Sequence, residues 1–377
     1  MLEAASFVRF LAAEGVDFFT GVPDSLLKAF CAHLAREVLP SRHWIAANEG
    51  NAVALAAGHY LASGRPALVY MQNSGEGNAV NPLCSLADED VYGIPMVLLV
   101  GWRGEPGGKP DEPQHAKQGK VTCSLLDTLS VPWTVLPDDE AAAEAAVRET
   151  VQKAKALSRP VALVVRAGTF ATSEPAPALV PDRPVMNREE AIRTILASLP
   201  EEAAVVGTTG HVSREIYEAR DAAGLYHDRD FLTVGSMGHA SSIALGIALE
   251  KPLRPVVCLD GDGAALMHMG SLAVIGTSGA GNLLHVVLNN GAHGSVGGQP
   301  TVGFRIDLAA IAEACGYRVQ KVAGLGELAF AIASWKGGSR PGFIEVPVGV
   351  EARKGLGRPR TSPQDNRDSF MHFLAKR

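Results

Sequence analysis

Paired cysteines are missing from this 377-residue chain: Cys31, Cys84, Cys123, Cys258 and Cys315 lie scattered, with no CxxC spacing. That argues against a disulfide framework and suggests reduced thiols in a cytoplasmic protein. The histidines show neither HxH nor HExxH spacing, so the common zinc patterns are absent as well. No apolar run approaches the roughly 20 residues that span a bilayer. The first stretch, MLEAASFVRFLAAEGVDFF, has no basic leader, and Glu3, Arg9, Glu14 and Asp17 interrupt it at helical spacing. It reads as an amphipathic helix rather than a signal sequence, and no membrane partner is expected. Positive charge is not in excess either. The formal net charge of −6 argues against a general nucleic-acid binder.

What the chain does have is a series of short apolar runs at 66–71, 95–101 and 160–166. A second series follows at 203–207, 230–234, 254–260, 283–290 and 342–348. Runs apolar on both faces suit central strands of parallel sheets covered by helices. The segments between them, such as DEAAAEAAVRETVQKAKAL, have helical composition. The pattern predicts two doubly wound α/β domains. A proline-rich stretch at 172–186 reads as a linker between a domain at 1–171 and one at 187–377. No residue-level repeat relates the halves.

Two strand ends in the second half carry unusual chemistry. LDGDGAALM places Asp262 between Gly261 and Gly263, and HVVLNNGAHGS ends in Asn289 and Asn290. Ligands of parallel sheets bind beyond the carboxyl ends of strands. The glycines permit positive φ and close backbone approach. Carboxylate, amide and carbonyl oxygens are hard donors suited to Mg²⁺ held with a phosphate. A lone GDG is also a common turn. An EF-hand loop opening at Asp260 fails, because Ala265 and Ser271 stand where glycine and glutamate are required.

GDG, 25 intervening residues and NN together resemble the fingerprint of the thiamin-diphosphate-dependent enzymes. The resemblance implies that Asp262, Asn290 and the carbonyl of Ala292 hold Mg²⁺ on the cofactor's diphosphate. Gly261, Gly263 and Ala264 fall in the same loop. A helix after Gly294 and Ser295 would aim backbone N–H groups at the anion. In GTTGHVSRE, Thr208, Thr209 and Gly210 are placed to reach the diphosphate, and in TVGSMGHASS, Gly235 and Met237 match the positions that bend the cofactor. Glu49, in IAANEGNAVALAAGHYLASG, matches the carboxyl that faces the aminopyrimidine. The small residues after it allow close packing, and desolvation would raise its pKa. Read without the resemblance, Asn48 caps a helix and Glu49 complements its dipole.

The strings FFTGVPDSLLK, MQNSGEGNAVNPL, DEPQHAKQG and NNGAHGSVGGQPT extend the resemblance over most of the chain, to the compact two-domain phosphonopyruvate decarboxylases, which have no middle domain. The implied reaction is loss of CO₂ from a 2-keto acid bearing a phosphonate. The sulfonate-using sulfopyruvate decarboxylases are the nearest alternative; a carboligase of the acetolactate-synthase type and a non-catalytic subunit are further ones. An anionic substrate calls for basic groups, and Arg103, Lys109 and His115 lie in one Gly/Pro-rich segment with Lys117 and Lys120. Gln299 and Thr301 are candidates for phosphonate oxygens. Asp24 and Ser25 fall where relatives carry a catalytic aspartate. Val296 stands where simple pyruvate-type decarboxylases have a glutamate, leaving His115 or His293 as proton donors. The basic tail 351–366 reads as solvated, with a lid as the sharper alternative. The resemblance also implies at least a homodimer, with the active site between subunits.

Overall fold

The computed structural model describes residues 1–172, 185–353 and 355–376. They gather into two compact units, Met1–Pro177 with Val296–Gln299, and Ala178–Ser295 with Pro300–Arg377. The expected linker falls mostly outside the described residues. No helix among the described residues is long and apolar enough to cross a membrane.

The first unit is built on a six-stranded sheet with spatial order His43–Ile45, Phe19–Gly21, Ala67–Gln72, Met96–Gly101, Pro160–Val165 and Trp133–Val135. All its strand pairings are parallel. Apolar runs are needed here because both faces are covered. Leu68, Tyr70 and Leu99 pack with Phe7 and Phe30, while Val69, Met71, Leu98 and Val100 pack with Ala52, Val53 and Ala56. The second sheet runs Arg318–Lys321, Gly342–Pro347, Leu283–Asn289, Val256–Gly261, Ala204–Gly207 and Asp230–Leu232, again all parallel. Counted in chain order from the appropriate edge, each sheet reads second, first, third, fourth, sixth, fifth strand. The halves therefore share one topology without sharing a sequence repeat.

Local chemistry sets the ends of the elements. Asn48 caps the helix Glu49–Ser63 by accepting from Asn51 N at 3.0 Å, and Gly64 closes it in the left-handed region at φ 69°. Two expectations need correction. No α-helix follows Ser295: Gly294–Val296 is a single 3₁₀ turn, and Gly297 at φ 132° and Gly298 at φ 78°, then Pro300, prevent its continuation. The basic tail is also not simply solvated. Arg353 pairs with Glu189 and Glu218, and Arg360 with Asp221; Lys354 lies outside the described residues. A helix Pro363–Ala375 follows, opened by a Ser362/Asp365 capping box and bonded through Asn366 to Leu232 N and Asp230 O.

Beneath that helix, Arg220 forks onto Asp230 through Nε and Nη2 at 2.9 and 2.8 Å, with both side chains almost fully buried. Removing one partner of such a pair strands the other charge in the core, at a cost of about 3–5 kcal/mol. Arg220→Met should therefore lower unfolding stability by about that much in urea titrations. Arg220→Met/Asp230→Leu should recover most of the loss. A single variant as stable as the parent would show that the pair carries no such constraint.

Candidate active site

In the second sheet, chain order reverses around Ala204–Gly207, whose neighbours are Asp230–Leu232 and Val256–Gly261. The crevice at the carboxyl ends of such strands is where open α/β sheets bind ligands. Asp262 begins the short helix Asp262–Met267 at that edge, only 1% exposed. Its Oδ1 accepts from Asn290 N at 3.2 Å and its Oδ2 from the Thr301 hydroxyl. Burial nevertheless pushes the carboxyl up to about 6. The structure thus brings Asp262 and Asn290 together, and Ala292 N donates to Asn290 Oδ1 at 3.0 Å.

Asn289 plays a different part. Its Nδ2 donates to Gly303 O and Glu345 Oε1, both at 2.8 Å, and its Oδ1 accepts from Gly291 N. It knits the loop rather than facing outward. Gly303 is required at this crossing, because a Cβ there would stand 2.6 Å from both Asn289 Oδ1 and Asp262 Oδ2. Neither Gly261 nor Gly263 takes positive φ, contrary to expectation. Gly263 is instead a close-approach position: its Cβ would meet His293 Nδ1 at 3.1 Å and Met237 Cε at 3.4 Å. Ala264 follows it, buried. Met237 lies in the turn after Gly235, between Ser236 at φ 55° and Gly238 at φ 84°. His293 is buried and pushed down to about 4, so its imidazole is neutral at neutral pH.

Gly210, at φ 96°, faces Ser295, and Gly294 lies beside Asn290 Nδ2. Thr208 is buried with no hydrogen-bond partner for its hydroxyl, and Thr209 beside it is half-buried. An orphaned hydroxyl next to glycines and an oxygen-rich donor set fits a diphosphate held through a divalent cation. Directly below, Asp260 Oδ1 accepts from Gly261 N and Oδ2 pairs with His285 Nε2 at 3.3 Å. With Cys258 these side chains form a buried cluster across two neighbouring strands, which sequence spacing did not reveal.

The first unit carries a second polar edge. Glu49 is buried, and burial raises its carboxyl above the ordinary range, opposed by Asn78 Nδ2 donating to Oε2 at 2.7 Å. Gly75 lies so close that a Cβ would fall 2.1 Å from Glu49 Oε1. Ser74 Oγ donates to Gln72 Oε1 at 2.7 Å, and Gln72 Nε2 to Asp24 Oδ1 at 2.6 Å. Asp24 is fully buried, and desolvation raises it. Arg103 Nη1 donates to Ser25 Oγ at 2.6 Å. His115 is buried and lowered, first by desolvation and then by Arg103. Lys109 and Lys117 are exposed, as is Lys120.

The sequence reading missed Asn78, Gln72, Asp111 and Glu76. Glu76 is buried and pushed up to about 8. The strings MQNSGEGNAVNPL and DEPQHAKQG contain all four, without marking which side chains matter. Gln299 is fully buried with both side-chain polar atoms unpartnered, whereas the Thr301 hydroxyl is committed to Asp262.

Comparison with known proteins identifies the family. Residues 3–125 match the family model "Thiamine pyrophosphate enzyme, N-terminal TPP binding domain", and residues 206–346 match its C-terminal TPP binding domain. A phosphonopyruvate decarboxylase of Streptomyces viridochromogenes is 38% identical over 99% of this chain and 95% of that protein. Another, of Streptomyces hygroscopicus, is 37% identical over 100% and 95%. A sulfopyruvate decarboxylase of Methanosarcina acetivorans is 32% identical over 71% of each chain. The chain belongs to the phosphonopyruvate decarboxylase family of thiamine pyrophosphate enzymes.

Proposed function

We propose that the chain catalyses the thiamin-diphosphate- and Mg²⁺-dependent decarboxylation of 3-phosphonopyruvate to phosphonoacetaldehyde and CO₂. Full-length similarity to two phosphonopyruvate decarboxylases carries this reading. The sulfonate alternative rests on a lower identity over a smaller share of the chain. Residues 1–171 would serve the pyrimidine side of the cofactor and residues 187–377 its diphosphate side. Asp262, Asn290 and the Ala292 carbonyl would hold Mg²⁺. The orphaned Thr208 hydroxyl, with Thr209, Gly210 and Ser295, would receive the diphosphate. Gly235 and Met237 would shape its bend.

When bound, thiamin diphosphate supplies a nucleophilic thiazolium carbon and an electron sink for the pair released as CO₂ leaves. The protein's share is proton control and orientation. Glu49 Oε2 is occupied by Asn78, so Oε1, facing Gly75, is the oxygen that holds and delivers a proton to the pyrimidine ring. Arg103, Lys109, His115 and Gln299 would bind the substrate's anionic groups. His115 and His293 are the candidates for protonating the product. Burial lowers both, so each would first have to take up a proton, which the negative charge of a bound substrate would favour. Asp24, raised by burial, sits at the same edge. The free thiols of the five cysteines support a cytoplasmic location. The division of the polar groups between two units supports at least a homodimer, with active sites completed between copies.

Two measurements test the assignment. Glu49→Gln should cut turnover of 3-phosphonopyruvate by at least about 100-fold, the ordinary range for losing a general acid–base group. Calorimetry should show cofactor affinity changed by less than about tenfold, on the view that the carboxyl acts mainly in proton transfer rather than binding. Near-parental turnover would remove Glu49 from the proton path. Because burial pushes the Asp262 carboxyl up to about 6, protonation should compete with a cation as pH falls. Apparent Mg²⁺ affinity should drop about tenfold per pH unit below that value. Asp262→Asn should bind weakly and lose this dependence. The same slope in both proteins would exclude Asp262 as a ligand.

A further inference from the structure

Arg103 follows the strand Met96–Gly101, yet its guanidinium is not open to an incoming anion. Nε donates to Asp111 Oδ2 at 2.7 Å, Nη2 to Asp111 Oδ1 at 2.5 Å, and Nη1 to Ser25 Oγ at 2.6 Å. The carboxylate therefore grips the fork bidentately, the strongest geometry available to this pair. Both side chains are 19% exposed. Asp111 is itself fixed by Gly104 N at 3.1 Å and Glu112 N at 2.8 Å, and Arg103 holds it well below the usual carboxylate range.

The hairpin of chain that brings Asp111 back to Arg103 is tightly built. Gly104 takes φ 69°, and a Cβ there would lie 2.1 Å from His115 O; a Cβ on Gly119 would lie 1.7 Å from Gly104 O. Asp111, although at the surface, is thus delivered to Arg103. From Arg103, contacts lead back through Ser25 and its neighbour Asp24, then Gln72 and Ser74, to Gly75 and Glu49.

We propose that Asp111 is a specificity-determining residue: an internal anion on Arg103 that a phosphonate displaces and a sulfonate does not. The inference rests on the proposed decarboxylation and names what selects the substrate's second anionic group. A sulfonate carries one negative charge on weakly basic oxygens. Exchanging it for a bidentate carboxylate gains no charge and loses acceptor strength. A phosphonate resembles a phosphoryl group, which carries about −1.5 to −2 charges at neutral pH with three strong acceptor oxygens. It gains from the exchange. Selectivity then comes from what the site charges the wrong ligand, as well as from what it offers the right one.

The test compares the cofactor-loaded parent and Asp111→Asn with 3-phosphonopyruvate and sulfopyruvate. The ratio of kcat/KM values, phosphonate over sulfonate, should fall at least tenfold in the variant, through a lower KM for sulfopyruvate. A general structural defect would lower both substrates together and leave the ratio in place. A ratio unchanged within threefold, or a rise, overturns the proposal. A second arm needs only the unmodified enzyme: at pH 8, calorimetry should show methylphosphonate binding at least tenfold more tightly than methanesulfonate. Equal binding overturns the proposal even if Asp111→Asn does not fold. A parent that turns over neither keto acid overturns the decarboxylase reading instead. The same binding comparison made with Asp111→Asn then decides the role of Asp111: the preference for methylphosphonate should fall at least tenfold, and an unchanged preference overturns the proposal.

Discussion

A carboxyl group taken out of water loses its hydration, and the charged form survives only where donors replace it. Asp24, Glu49 and Asp262 all sit under this constraint, and much of the local architecture is organised to answer it. Asp262 receives the Thr301 hydroxyl and the Asn290 amide; Glu49 receives Asn78; Asp24 receives Gln72 and the backbone of Leu26. In each case the donors only partly offset burial, and the group stays raised. The result is three carboxyls raised above their ordinary values. That suits a site where protons and cations are exchanged.

The sheets explain why these groups lie where they do. A parallel sheet covered on both faces is mostly apolar along its length, the Asp260–His285 pair being an exception, so polar side chains collect where strands end. Both units use the same strand order, and both place their carboxyls at the carboxyl edge. In the first unit, Asp24 follows the first strand and Gln72 ends the third, spatially adjacent, strand. In the second unit, Thr208 follows the first strand and Asp262 the third. Equivalent positions carry unlike residues: a carboxyl and an amide in one unit, a hydroxyl and a carboxyl in the other. This is how a shared topology leaves no trace as a sequence repeat.

The strands were legible because burial on two faces demands runs such as LLHVVL, and the GDG and NN signals were legible because they interrupt such runs. What stayed hidden depends on contacts between distant residues. Thr301 and Gly303 complete the Asp262 site from 39 and more positions away, and nothing in GGQPTVG announces which oxygen they meet. Asp111 drew no reading of its own within DEPQHAKQG; its return to Arg103 depends on the close approach of Gly104 to His115 and Gly119. The helix expected after Ser295 failed on signals that were present, the paired glycines and Pro300. The C-terminal helix was missed although Ser-Pro-Gln-Asp is a capping box with proline at its first turn.

Charge balance in the second unit follows the same logic as the carboxyls. The tail's arginines face Glu189, Glu218 and Asp221 on helices that already carry buried or half-buried ion pairs. Such partly exposed pairs contribute little stability individually. Their consequence is positional: they draw the chain back so that Asn366 reaches Leu232 N and Asp230 O, leaving Phe370 against Phe231. The edge strand Asp230–Leu232 is thereby covered, and the acid end of the Arg220 pair is shielded from water. Arg353 and Arg360 are thus engaged with acids at that edge. Under the proposed function, positive charge for the substrate would come instead from Arg103, whose guanidinium Asp111 holds.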